Sequence, residues 1–225
     1  MNSSLRTEAP EINYRDELIR KGIHLCSLSI PVIYYFITRE TAVYILAGVT
    51  AAALILDLAR YLSPGIKSLF LTVFGFMLRK HELDERKKNL NGATYVFISA
   101  LLCVIIFPKV LFLTAFPILI ISDSAAALIG RKYGIRPFLK KSLGGTTAFF
   151  ISALIVILFT PKLGAGIGEY LIAAAAAAAA AIIENISHGW ADDNLSIPMT
   201  VGFVMWGLFI LFMPEVQLIL PNVPR

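Results

Sequence analysis

VLFLTAFPILIISDSAAALIG, residues 110–130, decides the fold. Its polar side chains are Thr114, Ser122, Ser124 and a single carboxylate, Asp123. A helix rises about 1.5 Å per residue, so a stretch of this length crosses a hydrocarbon core about 30 Å thick. A membrane barrel would instead show alternating segments of about ten residues. Working outward, comparable apolar segments run from about Ile23 to Ile37, Ala42 to Leu58, Gly92 to Phe107, Thr146 to Thr160, Ile167 to Ile186 and Ile197 to Met213. With Val110–Gly130 they predict an all-α, polytopic integral membrane bundle of about seven transmembrane helices. Ser68–Leu78 is apolar but short, which fits an interfacial or re-entrant piece better than a span. The composition agrees: 57% of the 225 residues are hydrophobic, 16% are charged, and the mean hydropathy is +0.75, far from an ordinary soluble domain.

The basic residues set an orientation. Counted between the expected spans, alternate segments hold 16 and 4 of the 20 lysines and arginines, the asymmetry that retains one face in the cytoplasm. The expectation is a cytoplasmic arm at 1–22, one transmembrane catalytic domain at 23–213 and a short extracytoplasmic tail at 214–225, in a cell inner membrane. The net charge of +5 then belongs to one face, suited to anionic headgroups or nucleotide phosphates. No pattern of nucleic-acid recognition interleaves with it. The first 22 residues mix Arg, Glu and Asp without an apolar core, so no cleavable signal peptide is expected. Cys26 and Cys103 fall within spans and read as packing residues. The alanine run from Ala173 to Ala181 reads as a small-residue helix face that lets neighbours approach closely. No repeat is apparent, and the oligomeric state is open.

Charges inside spans need a reason. Asp123 in the fourth span and Glu184 in the sixth are expected near the same membrane face, where the loop carrying Asp192, Asp193 and Asn194 also falls. Carboxylates beside a basic loop suit Mg²⁺ and phosphate, because Mg²⁺ favours one or two carboxylates together with phosphate oxygens and water. That basic loop contains Gly130-Arg131-Lys132-Tyr133-Gly134, then Lys140-Lys141-Ser142-Leu143-Gly144-Gly145-Thr146-Thr147, and leads directly into the fifth span. Glycines followed by a hydroxyl residue at a helix start offer backbone N–H groups to an anion. The order of a P-loop is absent.

Taken together, these residues resemble the CTP-dependent lipid kinases, a group that includes dolichol kinase, phytol kinase and the CTP-dependent diacylglycerol kinase. The resemblance rests on the stretch from Asp123 to Gly134, on Lys141-Ser142-x-x-Gly145-Thr146, and on Asp193-Asn194-x-x-x-Pro198. Arg20-Lys21-x-x-His24 and Asn91-Gly92 add to it. Around Asp123 to Gly145 the chain is also similar to CDP-diacylglycerol synthase, the phosphatidate cytidylyltransferase. The resemblance implies a kinase that uses CTP and Mg²⁺ to phosphorylate the hydroxyl of a membrane-embedded lipid alcohol such as a polyprenol, a phytol-type alcohol or diacylglycerol. By that likeness Asp123 holds the metal, and Lys141, Ser142, Gly145 and Thr146 line the triphosphate. Asp193 and Asn194 complete the metal or nucleotide contacts, with Glu184 beside them. The pattern departs at Gly144, where the family usually has an acidic residue. By the resemblance, the lost carboxylate implies weakened metal binding, altered donor use or an inactive relative, or else Glu184 or Asp192 supplies the charge.

The remaining candidates each have two readings. His24 is a catalytic base or a headgroup contact; Asn91 contacts nucleotide or caps the third span. Arg20, Lys21 and Lys132 bind phosphate or anchor at the interface. A cytidylyltransferase attaching CMP to phosphatidate needs nearly the same site, and a non-catalytic lipid- or nucleotide-binding protein is the third class. Hydropathy does not tell which alcohol is the acceptor.

Overall fold

The computed structural model describes residues 14–75, 90–187 and 192–225. These form the helices α1 (Tyr14–Cys26), α2 (Ser29–Phe36), α3 (Arg39–Ala59), α4 (Pro64–Phe74), α5 (Gly92–Ile106), α6 (Lys109–Tyr133), α7 (Leu143–Phe159), α8 (Ile167–Ile186) and α9 (Asp193–Phe212). A two-stranded hairpin, β1 (Pro137–Phe138) and β2 (Lys141–Ser142), joins α6 to α7. Many helices start where a short polar side chain satisfies the first free N–H groups. Thr38 accepts from Thr41 N, Asn91 from Thr94 N, Ser142 from Gly145 N and Asp192 from Asn194 N.

α6 is the central helix. Leu111, Phe112, Phe116, Ile118, Leu119 and Ile120 are all fully buried, and α1, α2, α5, α7 and α9 pack around it. α3 lies outside α5. The outer surface carries the opposite chemistry from that of a soluble protein: Phe36, Tyr44, Ile55, Leu158, Phe159, Leu171 and Phe212 are exposed, an apolar exterior that suits lipid.

Among the described residues, four helices, α3, α6, α8 and α9, are long and apolar enough to cross a membrane; α5 and α7 are apolar but shorter. The expected count of seven is therefore not reached by helix length. The first expected span, Ile23–Ile37, is divided. The chain turns after α1 through i→i+3 bonds from Ser27 N to His24 O and from Leu28 N to Leu25 O. Pro31 explains the break, because it has no N–H and its ring excludes the carbonyl four residues back. α1 itself begins at Tyr14, within the segment expected to be an arm. α9 starts one turn before the expected Ile197, so Asp193 and Asn194 lie in a helical first turn, where the helix dipole favours an acidic side chain. The Ser68–Leu78 piece is represented by α4, and its last three residues lie outside the described residues.

Small residues set the spacing between helices. Ala173, Ala176, Ala177, Ala180 and Ala181 are buried at the i, i+3, i+4 spacing of one helix face, and α8 packs there against α7 and α9. Gly202 in α9 meets the ring of Phe107: a Cβ at that position would stand 2.4 Å from Phe107 Cε2. Since Phe107 is itself fully buried, Gly202→Ala should cost about 1–3 kcal/mol by overpacking. Gly207, five residues on, has nothing within 4 Å of such a Cβ, and its replacement by Ala should be neutral or slightly stabilising. Thermal unfolding of the two variants in detergent checks this; equal midpoints would contradict the packing.

Candidate active site

The buried face of α8 continues past its alanines to Glu184, three residues beyond Ala181, so the stripe that packs the helix also carries a carboxylate inside. α6 presents Asp123 from its middle, and the first turn of α9 presents Asp193. One carboxylate oxygen from each of Asp123, Glu184 and Asp193 lies within 4.8 Å of the others. Three residues separated by up to seventy positions thus meet at one point.

Two lysines enter the cluster from other elements. Lys141 Nζ in β2 donates to Glu184 Oε1 at 2.6 Å and to Asp193 Oδ2 at 3.1 Å. Lys21 Nζ in α1 donates to Asp123 Oδ2, and His24 Nε2 stands 3.9 Å from that oxygen. Burial works against the Lys141 ammonium, but Asp193 and then Glu184 outweigh it and hold its pKa above the usual lysine value. Asp193 Oδ1 is buried without a hydrogen-bond partner among the described residues.

Lys141 is held in place by a residue that the sequence reading passed over. Asn185 is fully buried; its Oδ1 accepts from the backbone N–H of Lys140 at 2.9 Å and of Lys141 at 3.1 Å, and its Nδ2 donates to Thr146 Oγ1 at 2.7 Å. This fixes a hairpin whose turn puts Leu139 at φ 50°, a conformation unfavourable for a leucine and sustained only by surrounding contacts. The signal in the sequence was a second polar residue next to Glu184 in an apolar helix. Glu17 was also passed over: it is 1% exposed and pairs with Arg20 at 2.6 Å and Arg131 at 3.3 Å. Burial opposes its ionisation, but Arg20, Lys21 and Arg131 together draw its pKa below the ordinary glutamate value.

Other expected site residues have structural partners. Ser142 Oγ accepts from Gly145 N at 3.1 Å and sits beneath Gly130 and Gly134, where added Cβ atoms would stand 3.1 and 2.3 Å from that hydroxyl. These glycines bring α6 and α7 together. Asn91 caps α5, and its N–H donates to Asp57 Oδ2 at 2.7 Å. Asn194 Nδ2 bonds Asp192 at 2.7 Å and reaches Gly92 O. Lys132 is exposed and lies over the Tyr133 ring, and Arg20 belongs to the Glu17 group. Asp123, Glu184, Asp193, Lys21, His24 and Lys141 are therefore gathered together, with Thr146 linked through Asn185. Arg20, Lys132, Asn91 and Asn194 make their contacts with other residues.

The donor set fits a hard cation: it is made of carboxylate oxygens and includes one with no partner. Oxygens bound to Mg²⁺ at about 2.1 Å lie at most about 4.2 Å apart, so the carboxylates, spread over as much as 4.8 Å, would draw in to hold it.

Among known proteins, the uncharacterized protein RP860 of Rickettsia prowazekii is 32% identical over 182 residues, covering 80% of this chain and 89% of that protein. The chain belongs to the same family as RP860. CTP-dependent diacylglycerol kinase 1 of Saccharomyces cerevisiae is 31% identical over 141 residues. That likeness covers 61% of this chain and spans 42% of the yeast protein, a distant relation. No protein-family model matches the chain, and no solved structure does.

Replacing Asn185 by Ala should remove the acceptor of two amides and leave Thr146 without its donor, costing about 1–3 kcal/mol. Faster amide hydrogen exchange across residues 137–146 would report it. Unchanged exchange there would mean that the hairpin stands without Asn185.

Proposed function

We propose that this chain is a CTP-dependent kinase that phosphorylates the hydroxyl of a membrane lipid alcohol on the cytoplasmic side of the bilayer. The observation that carries the reading is the meeting of Asp123, Glu184 and Asp193 with Lys21 and Lys141 at one end of an apolar bundle. The distant likeness to a protein named as a CTP-dependent diacylglycerol kinase supports it. Placing this end in the cytoplasm rests on the 16 of 20 basic residues on that side, and a nucleotide is available there.

In this reading Asp123, Glu184 and Asp193 hold Mg²⁺, which when bound neutralises charge on the phosphate oxygens. Lys141 and Lys21 orient the triphosphate, and Arg20 and Arg131, anchored by Glu17, add positive charge at the rim. The acceptor hydroxyl attacks the terminal phosphorus of CTP. The new O–P bond forms as the bond to the bridging oxygen breaks, and CDP leaves with that oxygen. The hydroxyl proton passes to His24 or Asp193; at His24 the nearby Asp123 carboxylate stabilises the resulting imidazolium. Such chemistry depends mainly on positioning and on charge neutralisation, which is what a rigid cluster of paired charges provides.

Purified protein in micelles, given CTP labelled on its terminal phosphate with diacylglycerol or isoprenoid alcohols, should transfer label to the lipid. Label released as pyrophosphate with phosphatidate as acceptor would identify a cytidylyltransferase instead. Asp123→Asn should lower the Mg²⁺-dependent rate by on the order of 10²-fold or more. An unchanged rate would remove Asp123 from the chemistry.

A further inference from the structure

Positive charge already stands at the carboxylate cluster. Each of Asp123, Glu184 and Asp193 gives an oxygen to a lysine: Asp123 to Lys21, and the other two to Lys141. The three carboxylates and two ammonium groups alone carry a formal charge of −1, a weak attraction for a bare divalent ion. If Lys141 leaves, the remaining charge is −2, which a divalent ion balances.

The two lysines are not equivalent. Lys21 has a side chain 4% exposed and enters from a helix packed on α6. Lys141 is 29% exposed and stands at the end of a flexible four-carbon stem on a hairpin, so its ammonium can move while Asn185 keeps its backbone fixed. An ammonium group drawn off its carboxylates needs another anion, since leaving one partner of such a pair uncompensated is costly. Phosphate oxygens provide that anion.

We propose that Lys141 is a built-in counter-ion that competes with the divalent ion for Glu184 and Asp193, so that the site takes up the ion together with a polyphosphate to which Lys141 transfers. The inference rests on the metal–nucleotide reading of this site. It makes ion and polyphosphate bind cooperatively, each raising the affinity of the other by the same factor, and it guards the carboxylates against divalent ions arriving alone.

The test is nucleotide-free Mn²⁺ binding, followed by the electron paramagnetic resonance signal of free Mn²⁺, to the full chain in micelles. Lys141→Met should bind one Mn²⁺ per chain about tenfold or more tightly than wild type, and adding Glu184→Gln should abolish that binding. Mn²⁺ alone should also raise the thermal midpoint of Lys141→Met, whereas wild type should need Mn²⁺ and CTP together. Lys141→Gln keeps a polar side chain and carries the same comparison if the methionine variant does not fold. Wild type binding Mn²⁺ alone as tightly as both variants, at a site removed by Glu184→Gln, would overturn the guard and leave the metal reading standing. Absence of any Glu184-dependent Mn²⁺ binding in the Lys141 variants, with or without CTP, would overturn both.

Discussion

A carboxylate inside an apolar helix bundle is tolerated only if another group compensates it, and three of them within one cluster make that requirement severe. In this protein the compensation comes from outside the helices that carry the carboxylates. Lys21 belongs to α1, and Lys141 belongs to the hairpin between α6 and α7. The short elements that look peripheral are therefore electrostatically bound to the central ones. Asp57 of α3, also fully buried, is compensated within its own helix end by Arg60 at 2.9 Å, and from outside it by the N–H of Asn91 at the start of α5.

Close approach of backbones makes the pairing possible. The alanine face of α8 and the glycines between α6 and α7 remove side-chain bulk where the cluster forms, and the carboxylates come from the ends or middles of those faces. Packing and chemistry are thus written on the same stripes: Ala173 to Ala181 brings Glu184 inward, and Gly130, Gly134 and Gly145 seat Ser142 so that β2 can offer Lys141. At the other end of the bundle the chain is tied differently. Glu169 accepts from Leu163 N and Ala165 N to close the loop before α8, and Lys109 donates to Ile37 O and Pro224 O. These contacts fix the frame without bringing carboxylates together.

Helix positions were legible from apolar runs, because a run such as Val110–Gly130 has few ways to fold in lipid. The division of the first segment was not, since Pro31 breaks a run without changing its hydropathy. Asp123 and Glu184 were legible as charges in costly places, and Asp193 and Lys141 through loop motifs. Asn185 and Glu17 were not, because their roles depend on partners far along the chain: Asn185 acts on amides 44 and 45 residues away, and Glu17 holds Arg131. About seven spans were expected, whereas among the described residues four helices meet the length and hydropathy of a span. Hydropathy marks apolar stretches but does not measure how far each one continues as unbroken helix.

The position of Gly144 follows from the same geometry. Successive residues of a helix point about 100° apart, and α7 divides its first turns accordingly. Thr146 faces Asn185 and the cluster, while Gly144 lines an apolar groove of about 680 Å³ with Leu143, Thr147, Ala148 and Ile151. A Cβ at Gly144 would make only ordinary contacts, 3.6 Å to Gly134 Cα and to Tyr133 O, so glycine is not required there by close packing. Of the two residues that could replace a carboxylate at this position, Asp192 is committed to capping α9 through Asn194 N at 2.9 Å. Glu184 stands in the cluster itself, against Lys141 and within reach of Asp123 and Asp193. Of the two, it is Glu184, at the end of the alanine face of α8, that lies with the other carboxylates.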